Sequence, residues 1–315
     1  MSEEEGIHEG LDLSDLEGET WRATFREAGK QFGFHENLGD EHEAVFVEEG
    51  RRLIVSFEVD SRMDDPATDY RPRSWVMGEE AGWSTLTLLS RGETWFRDPA
   101  VYRLMDRLTD DGFFDDFEEV LFYGAGSGGY AAATFSVAAP GARVLALRPQ
   151  ATLSADTAGW DGRYRAHRMR DFEGRYGYAP DMLDAADAAY VLYDPHQEED
   201  AMHAALFRRV NVMRLRCPHM GLALDRNLHG MGILTSLMRR AMAGDLTALS
   251  FARAFRARRK FPPYLRGFLA EVQDTGRVRQ AIRVARHGLE TTGRPLFRKR
   301  LGQLQDQAKA QTAAE

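Results

Sequence analysis

Cysteine is almost absent from this sequence, and long hydrophobic runs are missing. The single cysteine, Cys217, excludes an internal disulfide and any metal cluster held by several thiolates. No stretch approaches the roughly 20 consecutive apolar residues that a membrane-spanning helix needs. The N-terminal residues MSEEEGIHEG are acidic, whereas a signal or transit peptide is basic. These absences predict a soluble cytoplasmic protein.

The composition excludes a disordered chain. Of the 315 residues, 43% are hydrophobic and 10% are aromatic, which is enough apolar surface to build a substantial core. This length fits one large domain or a domain with an appendage.

The net charge of −8 is distributed unevenly. Residues 1–238 carry 24 Lys+Arg against 43 Asp+Glu, whereas residues 239–300 carry 16 against 4. Most of these basic residues are arginines that recur at helical spacing, with apolar residues between them. This pattern favours an amphipathic helical layer that neutralises the acidic body. Exposed arginines of that layer also suit binding to an acidic protein partner or to a second copy of the chain. Binding to nucleic acid is a less favoured interpretation.

Short apolar runs alternate with segments of helical periodicity through the first two thirds of the chain. The strand signals are Ala44–Glu48, Leu53–Val59, Thr85–Leu89, Val120–Tyr123, Val144–Leu147, Tyr190–Tyr193 and Val212–Leu215. Glu49-Gly50 predicts a hairpin between the first two of them. The alternation is typical of a mostly parallel sheet with helices on both faces, so the expected fold class is α/β.

The other segments predict the domain boundaries. Residues 60–82 are polar and rich in proline and glycine, which predicts a long loop. The expected organisation is a solvated leader at 1–20, an α/β domain at 21–235 with an aromatic and Arg-rich insertion at about 151–188, an Arg-rich helical extension at 236–307 and a tail at 308–315.

The most informative motif is a glycine-rich turn, GAGSGGY, which spans residues 124–130 between a strand and a helix. Such a turn presents backbone N–H groups at a helix N-terminus, where they suit a phosphate or a developing oxyanion. Ser127 has only small neighbours, as a serine nucleophile on a sharp strand–turn–helix requires.

At this turn the chain resembles the α/β-hydrolase superfamily, and it looks most like members whose elbow reads G-x-S-x-G-G-Y. Asp194 directly follows one predicted strand and His219 follows the next, in the order Ser, Asp, His. The resemblance implies an α/β-hydrolase-like sheet with a cap-like insertion and a serine esterase or acyl-transfer activity on a small ester or acyl substrate. It implies Ser127 as the nucleophile, His219 as the base and Asp194 as the orienting acid, with Asp200 as an alternative acid and with no cofactor or metal.

The same resemblance implies an oxyanion hole, but the sequence departs from the family's elbow motif at one position. The hole would use the Gly128 amide and an amide near Phe57-Glu58, with Gly126 and Gly129 shaping the turn. When the motifs are aligned on Gly128-Gly129-Tyr130, however, the nucleophile position falls on Gly126, one residue before Ser127. The alternative is therefore a catalytically inactive α/β-hydrolase-fold protein with a binding or scaffolding role.

Three other interpretations of the turn remain open. Gly124, Gly126 and Gly129 match G-x-G-x-x-G, and Arg148 after the next strand suits a 2′-phosphate, as in an NADP-type oxidoreductase. A sulfate- or pyrophosphate-binding loop of the S-G-G-x-D-S type lacks its acid and its second serine here. In a purely structural interpretation, the glycines allow close helix–sheet packing and Ser127 caps the helix.

The segment DPHQEEDAMH at 194–203 is dense in potential metal ligands. Glu199 and His203 are four residues apart and would share a helix face. The segment contains no HExxH motif, and a solvated acidic helix start explains it more simply. We therefore expect no metal here.

Overall fold

A computed structural model describes residue 16, residues 18–60 and residues 71–314, with side chains described up to residue 310. The strands are β1 (Gly33–Leu38), β2 (His42–Val47), β3 (Arg52–Val59), β4 (Ser84–Ser90), β5 (Glu119–Ala125), β6 (Arg143–Leu147), β7 (Ala188–Tyr193) and β8 (Val212–Arg216). The helices of the α/β part are α1 (Gly18–Phe32), α2 (Arg73–Ala81), α3 (Pro99–Asp110), α4 (Ser127–Phe135), α5 (Ala155–Ala158), α6 (Glu198–Leu206) and α7 (Leu224–Gly230). The C-terminal helices are α8 (Leu234–Met242), α9 (Ala248–Ala254), α10 (Pro262–Asp274), α11 (Val278–Thr292) and α12 (Pro295–Ala314). Short 3₁₀ turns lie at Phe113–Asp116, Ser136–Ala138, Arg165–Met169, Ala179–Leu183, Gly221–Ala223 and Phe255–Lys260.

The eight strands form one sheet in the order β1-β2-β4-β3-β5-β6-β7-β8. β2 is antiparallel to both of its neighbours, and all pairs from β4 through β3 to β8 are parallel. This mostly parallel sheet confirms the α/β-hydrolase-like fold predicted from the sequence. The predicted hairpin between the first two apolar runs is wrong, because β4 lies between β2 and β3. β3 is buried along both faces, which suits a strand flanked by parallel neighbours.

Helices cover both faces of the sheet, and the central strand β5 shows how the sequence divides between them. Val120 and Phe122 pack into the core that contains α3 and α4, whereas Leu121 and Tyr123 pack into the core that contains α7 and α8. Because successive side chains of a strand point to opposite faces of the sheet, this continuous apolar run contributes side chains to the cores on both faces. Among the described residues, no helix combines the length and apolarity that a bilayer span requires.

Two helices and one strand were not predicted. α1 begins at Gly18, so the end of the predicted leader is helical, whereas residues 1–15 and 17 lie outside the described residues. Trp21 and Phe25 of α1 stack on each other, and Phe25 packs edge-on against Trp75 of α2. α2 therefore occupies part of the predicted loop at 60–82, of which residues 61–70 are not described. The strand that was not predicted is β1, which lies at one edge of the sheet and pairs with β2.

The insertion at 151–188 forms one helical turn and two 3₁₀ turns over the α3–α4 face. Arg97 donates hydrogen bonds to the carbonyls of Asp171 and Arg175 at 2.6 and 2.7 Å. Tyr130 of α4 donates to the Tyr176 carbonyl, and the Phe172 and Tyr176 rings are buried in the core. The insertion is thus attached to the sheet through buried contacts, and its role as a cap stays a prediction.

The C-terminal extension is helical, as predicted. α8 packs on the sheet through Leu237, Met238 and Ala241, whereas α10, α11 and α12 build a second small core that includes Leu269 and Phe297. α12 continues to Ala314, so the predicted tail at 308–315 is helical over its described length. The apolar residues between the arginines are therefore core residues of an amphipathic layer.

Candidate functional site

The glycine-rich turn forms a sharp elbow between β5 and α4. β5 ends at Ala125, α4 begins at Ser127, and Gly126 between them has φ 61° and ψ −122°. This backbone region is sparsely populated by residues with a side chain. In a nucleophile elbow the reactive side chain sits on the strained strand-to-helix residue. Here that apex residue is Gly126, which carries no side chain.

The glycines around the apex allow backbone to pack directly on backbone. A Cβ placed on Gly128 would lie 2.0 Å from the Phe57 carbonyl oxygen, and one on Gly124 would lie 2.1 Å from the Gly128 carbonyl oxygen. A Cβ on Gly129 would lie 3.0 Å from the Leu147 carbonyl oxygen. The start of α4 therefore rests on the carboxyl ends of β3, β5 and β6, and any side chain here would separate the layers.

Ser127 is the first residue of α4 and is only 1% exposed. Its hydroxyl has no hydrogen-bond partner among the described residues. Gly126 is the N-cap residue, and no side chain of the described residues caps the helix, so the interpretation of Ser127 as a helix cap is wrong. The hydroxyl is a buried polar group without a partner, which is uncommon and costly in a folded protein.

Asp194 follows β7 and is 1% exposed. One carboxylate oxygen accepts a hydrogen bond from the His196 amide at 3.0 Å, and the other accepts from the Gly221 amide at 2.7 Å. Asp194 therefore ties the loop after β7 to the loop after β8. Both oxygens are used by the backbone, and none of the hydrogen bonds of the described chain joins Asp194 to His219.

His219 follows β8 and has a left-handed backbone, with φ 61°. Its Nε2 lies 3.0 Å from a carboxylate oxygen of Glu271 on α10, and its ring stacks on His196 with centroids 4.3 Å apart. The rings of Tyr264 and Phe268, also on α10, pack beside it. The C-terminal extension thus provides the close partners of the predicted general base.

Burial is the main cause of a lowered pKa at His219, and the neighbouring His196 lowers it further, against the charges of Glu271 and Asp194. Burial thus favours the neutral imidazole. The His219 ring contacts α10 and His196, and among the described residues the Ser127 hydroxyl has no hydrogen-bond partner. The Ser127–His219–Asp194 triad stays a prediction.

The region expected to complete an oxyanion hole lies at the end of β3. The Phe57 carbonyl faces Gly128, and the buried Glu58 carboxylate accepts a hydrogen bond from the Arg73 amide at 2.7 Å. Burial raises the pKa of Glu58, which the nearby Arg73 guanidinium opposes. The chain that leaves β3 at residues 61–70 is not described, so the oxyanion role of the Gly128 amide and of the Phe57-Glu58 region stays a prediction.

The alternative acid and the candidate 2′-phosphate ligand bind each other. Asp200 is 2% exposed, and one of its oxygens accepts a hydrogen bond from Arg163 at 2.7 Å. Its other oxygen lies 3.4 Å from a guanidinium nitrogen of Arg148. Asp200 is therefore paired with two arginines, and Arg148 is partly neutralised at the position where a 2′-phosphate was expected.

A buried polar cluster beside this pair was not predicted. His203 is fully buried; its Nδ1 accepts from the Ala151 amide at 3.1 Å, and its Nε2 lies 3.1 Å from Asp161. Arg163 donates to both oxygens of Asp161. Both ring nitrogens of His203 thus have hydrogen-bond partners within the chain. The residues are about 40 positions apart, and no local sequence pattern indicates the contact.

No protein-family model matches the sequence, and the comparison with curated proteins finds no match. The fold is similar to several solved structures. An esterase from Pyrobaculum calidifontis is 14% identical with a TM-score of 0.45, covering 74% of this chain and 95% of that chain. A bacterial heroin esterase is 16% identical with a TM-score of 0.43, covering 74% and 93%. The capsule O-acetyltransferase of Neisseria meningitidis serogroup A is 10% identical with a TM-score of 0.41, covering 64% and 93%.

At such low identities the similarity does not identify an activity. Function must therefore be inferred from this chain's own side chains.

A substitution at the apex tests the backbone geometry of the elbow. We expect Gly126→Ala to destabilise the protein by roughly 1–3 kcal/mol, because a residue with a Cβ is strained at φ 61°, ψ −122°. The free energy of unfolding in urea measures the effect. A variant as stable as the wild type would mean that residue 126 does not adopt this conformation.

Proposed function

We propose that this chain is an α/β-hydrolase-fold binding protein that does not use a serine nucleophile. The observation that carries the proposal is the glycine at the apex of the elbow. Gly126 has the strained backbone on which a nucleophile would be presented, and it has no hydroxyl or thiol to present.

The surroundings of the elbow support this proposal. A serine nucleophile needs a base within hydrogen-bond reach, and the base needs an orienting partner. Ser127, one residue past the apex, has an unpartnered and buried hydroxyl. The two oxygens of Asp194 accept from backbone amides, and His219 is paired with Glu271. Among the described residues, Asp194 and His219 therefore have partners other than those that catalysis needs, and the Ser127 hydroxyl has none.

Labelling with a fluorophosphonate probe tests the proposal directly, since the probe reacts only with an activated serine. We expect no adduct on the purified full-length protein under conditions that label a control serine hydrolase completely, and the same result for Ser127→Ala. An adduct that peptide mass mapping locates on Ser127, and that His219→Ala abolishes, would overturn the proposal.

One observation favours a second candidate, a serine esterase or acyltransferase that uses Ser127. The buried hydroxyl makes no structural hydrogen bond, so structure alone does not explain its retention. His219 and Asp194 also follow the two strands that the α/β-hydrolase resemblance implies. In that case the His219-dependent adduct described above would form, and a small ester would be the first substrate to screen.

A further inference from the structure

Three side chains that can bind a metal converge where α10 packs against the loops after β7 and β8. His196 comes from the loop after β7, His219 from the loop after β8 and Glu271 from α10. The Nε2 atoms of His219 and His196 lie 3.0 and 3.9 Å from the same Glu271 oxygen. One ligand atom from each residue lies within 4.8 Å of the other two. Three distant parts of the sequence thus bring potential metal-ligand atoms close together.

The spacing suits a small divalent ion. In a tetrahedral zinc site with bonds of about 2.0–2.1 Å, the ligand atoms are about 3.3 Å apart. The two observed separations lie on either side of that value. The side chains of His196 and Glu271 are 44% and 47% exposed. Both can therefore rotate slightly and bring their ligand atoms to the separations that a zinc ion requires. Two imidazoles and one carboxylate also form the donor set of open zinc sites.

The backbone around the donors is fixed. Asp194 accepts hydrogen bonds from the amides of His196 and Gly221, which hold the two histidine loops together. α10 approaches His219 closely at Gly267, one helical turn before Glu271, where an added Cβ would lie 3.2 Å from the His219 Cβ. Convergence of the three donors therefore follows from the packing of the extension on the α/β domain.

In contrast to the sequence expectation of no metal at 194–203, we propose that His196, His219 and Glu271 bind one divalent transition-metal ion, of the zinc type, and leave a coordination position open. His196 also lines a cavity of about 540 Å³, whose wall includes Arg216, Arg256, Arg258 and Arg259. A small anion such as phosphate that enters this cavity meets positive charge next to the open position. The test of this proposal measures metal content, whereas the test of the proposed function measures probe labelling, so the two proposals can fail separately.

Metal titration of the full-length protein tests the donor set. After removal of metal with a chelator and its dialysis, we expect one equivalent of Co²⁺ to bind and to give the visible absorption of a low-coordinate site. His196→Ala and Glu271→Gln, both at exposed positions, should each weaken the binding of Co²⁺ and Zn²⁺ by roughly tenfold or more. His287→Ala is the matched control, since His287 is an exposed histidine on the neighbouring helix α11, and it should bind like the wild type.

Two results would overturn the metal site: less than stoichiometric Co²⁺ on the wild type, or equal affinity in the wild type, His196→Ala and Glu271→Gln. Inorganic phosphate then tests the open position. We expect phosphate to change the visible spectrum of the Co²⁺ form, with a weaker response in Arg256→Ala. An unchanged spectrum at saturating phosphate would overturn the open, anion-accepting position.

Discussion

Gly128→Ala is expected to abolish the stable fold or to lower the free energy of unfolding by roughly 3 kcal/mol or more. The added methyl group would lie 2.0 Å from the Phe57 carbonyl oxygen and 3.0 Å from its carbonyl carbon. The Phe57 backbone cannot move away from the added methyl group, because β3 is hydrogen-bonded to β4 on one side and to β5 on the other. α4 would have to lift from the sheet, and the core contacts beneath it would be lost.

Soluble yield and urea unfolding followed by circular dichroism measure this effect. Gly302→Ala is the matched control, because Gly302 lies in α12 and an added Cβ would meet nothing within 4 Å. There we expect no loss of stability, or a gain of up to about 1 kcal/mol, since alanine is a better helix former than glycine. If Gly128→Ala unfolded at the same urea concentration as Gly302→Ala, α4 would not rest on β3 as described.

The tight glycine packing also bears on the proposed function. A nucleophile elbow needs small residues around its apex so that the chain can turn within the available space. Gly124, Gly128 and Gly129 meet that need here, yet the apex residue itself is Gly126. The sharp turn of the elbow is therefore present with a glycine at its apex, and this glycine is the observation on which the proposed function rests.

The sequence alone was sufficient for the central part of the sheet. The seven predicted strands correspond to β2–β8. Most of them are apolar runs, as strands buried on both faces require, whereas β8 lies at an edge and only Leu215 of it is buried. β1 was missed because its sequence, GFHENL, is mostly polar and its exposed edge position imposes no apolar pattern. The hairpin prediction failed because strand pairing depends on the whole sheet, and β4 inserts between β2 and β3.

For the candidate site, local patterns were informative and long-range contacts were not. The elbow was predictable because a glycine-rich turn between a strand and a helix is a local signal. The pairing of His219 with Glu271 depends on how α10 docks, and no sequence pattern specifies that docking. The same holds for Asp161 and His203, which meet only because the insertion folds back on α6.

Asp161→Asn is expected to lower the free energy of unfolding by roughly 3–5 kcal/mol near neutral pH, the range for removing one partner of a buried ion pair. The substitution takes the carboxylate charge away from Arg163 and weakens the hydrogen bond to His203, both of which hold the insertion against α6. Asp156→Asn changes an exposed aspartate of the same insertion, so its effect should stay within about 0.5 kcal/mol.

The effect of Asp161→Asn should also depend on pH. Burial alone would raise the pKa of Asp161, but hydrogen bonds from His203 and Arg163 outweigh it and hold this pKa well below its usual range. A carboxyl group whose pKa is depressed by folding stabilises the protein fully above its unfolded pKa of about 3.9, and this contribution is lost as the pH falls below that value. The stability difference between the wild type and Asp161→Asn should therefore be constant from neutral pH to about pH 5 and shrink in more acidic solution. Urea unfolding over this pH range measures it, and a difference that persisted unchanged below about pH 3 would mean that Asp161 does not bind His203 and Arg163 as a carboxylate.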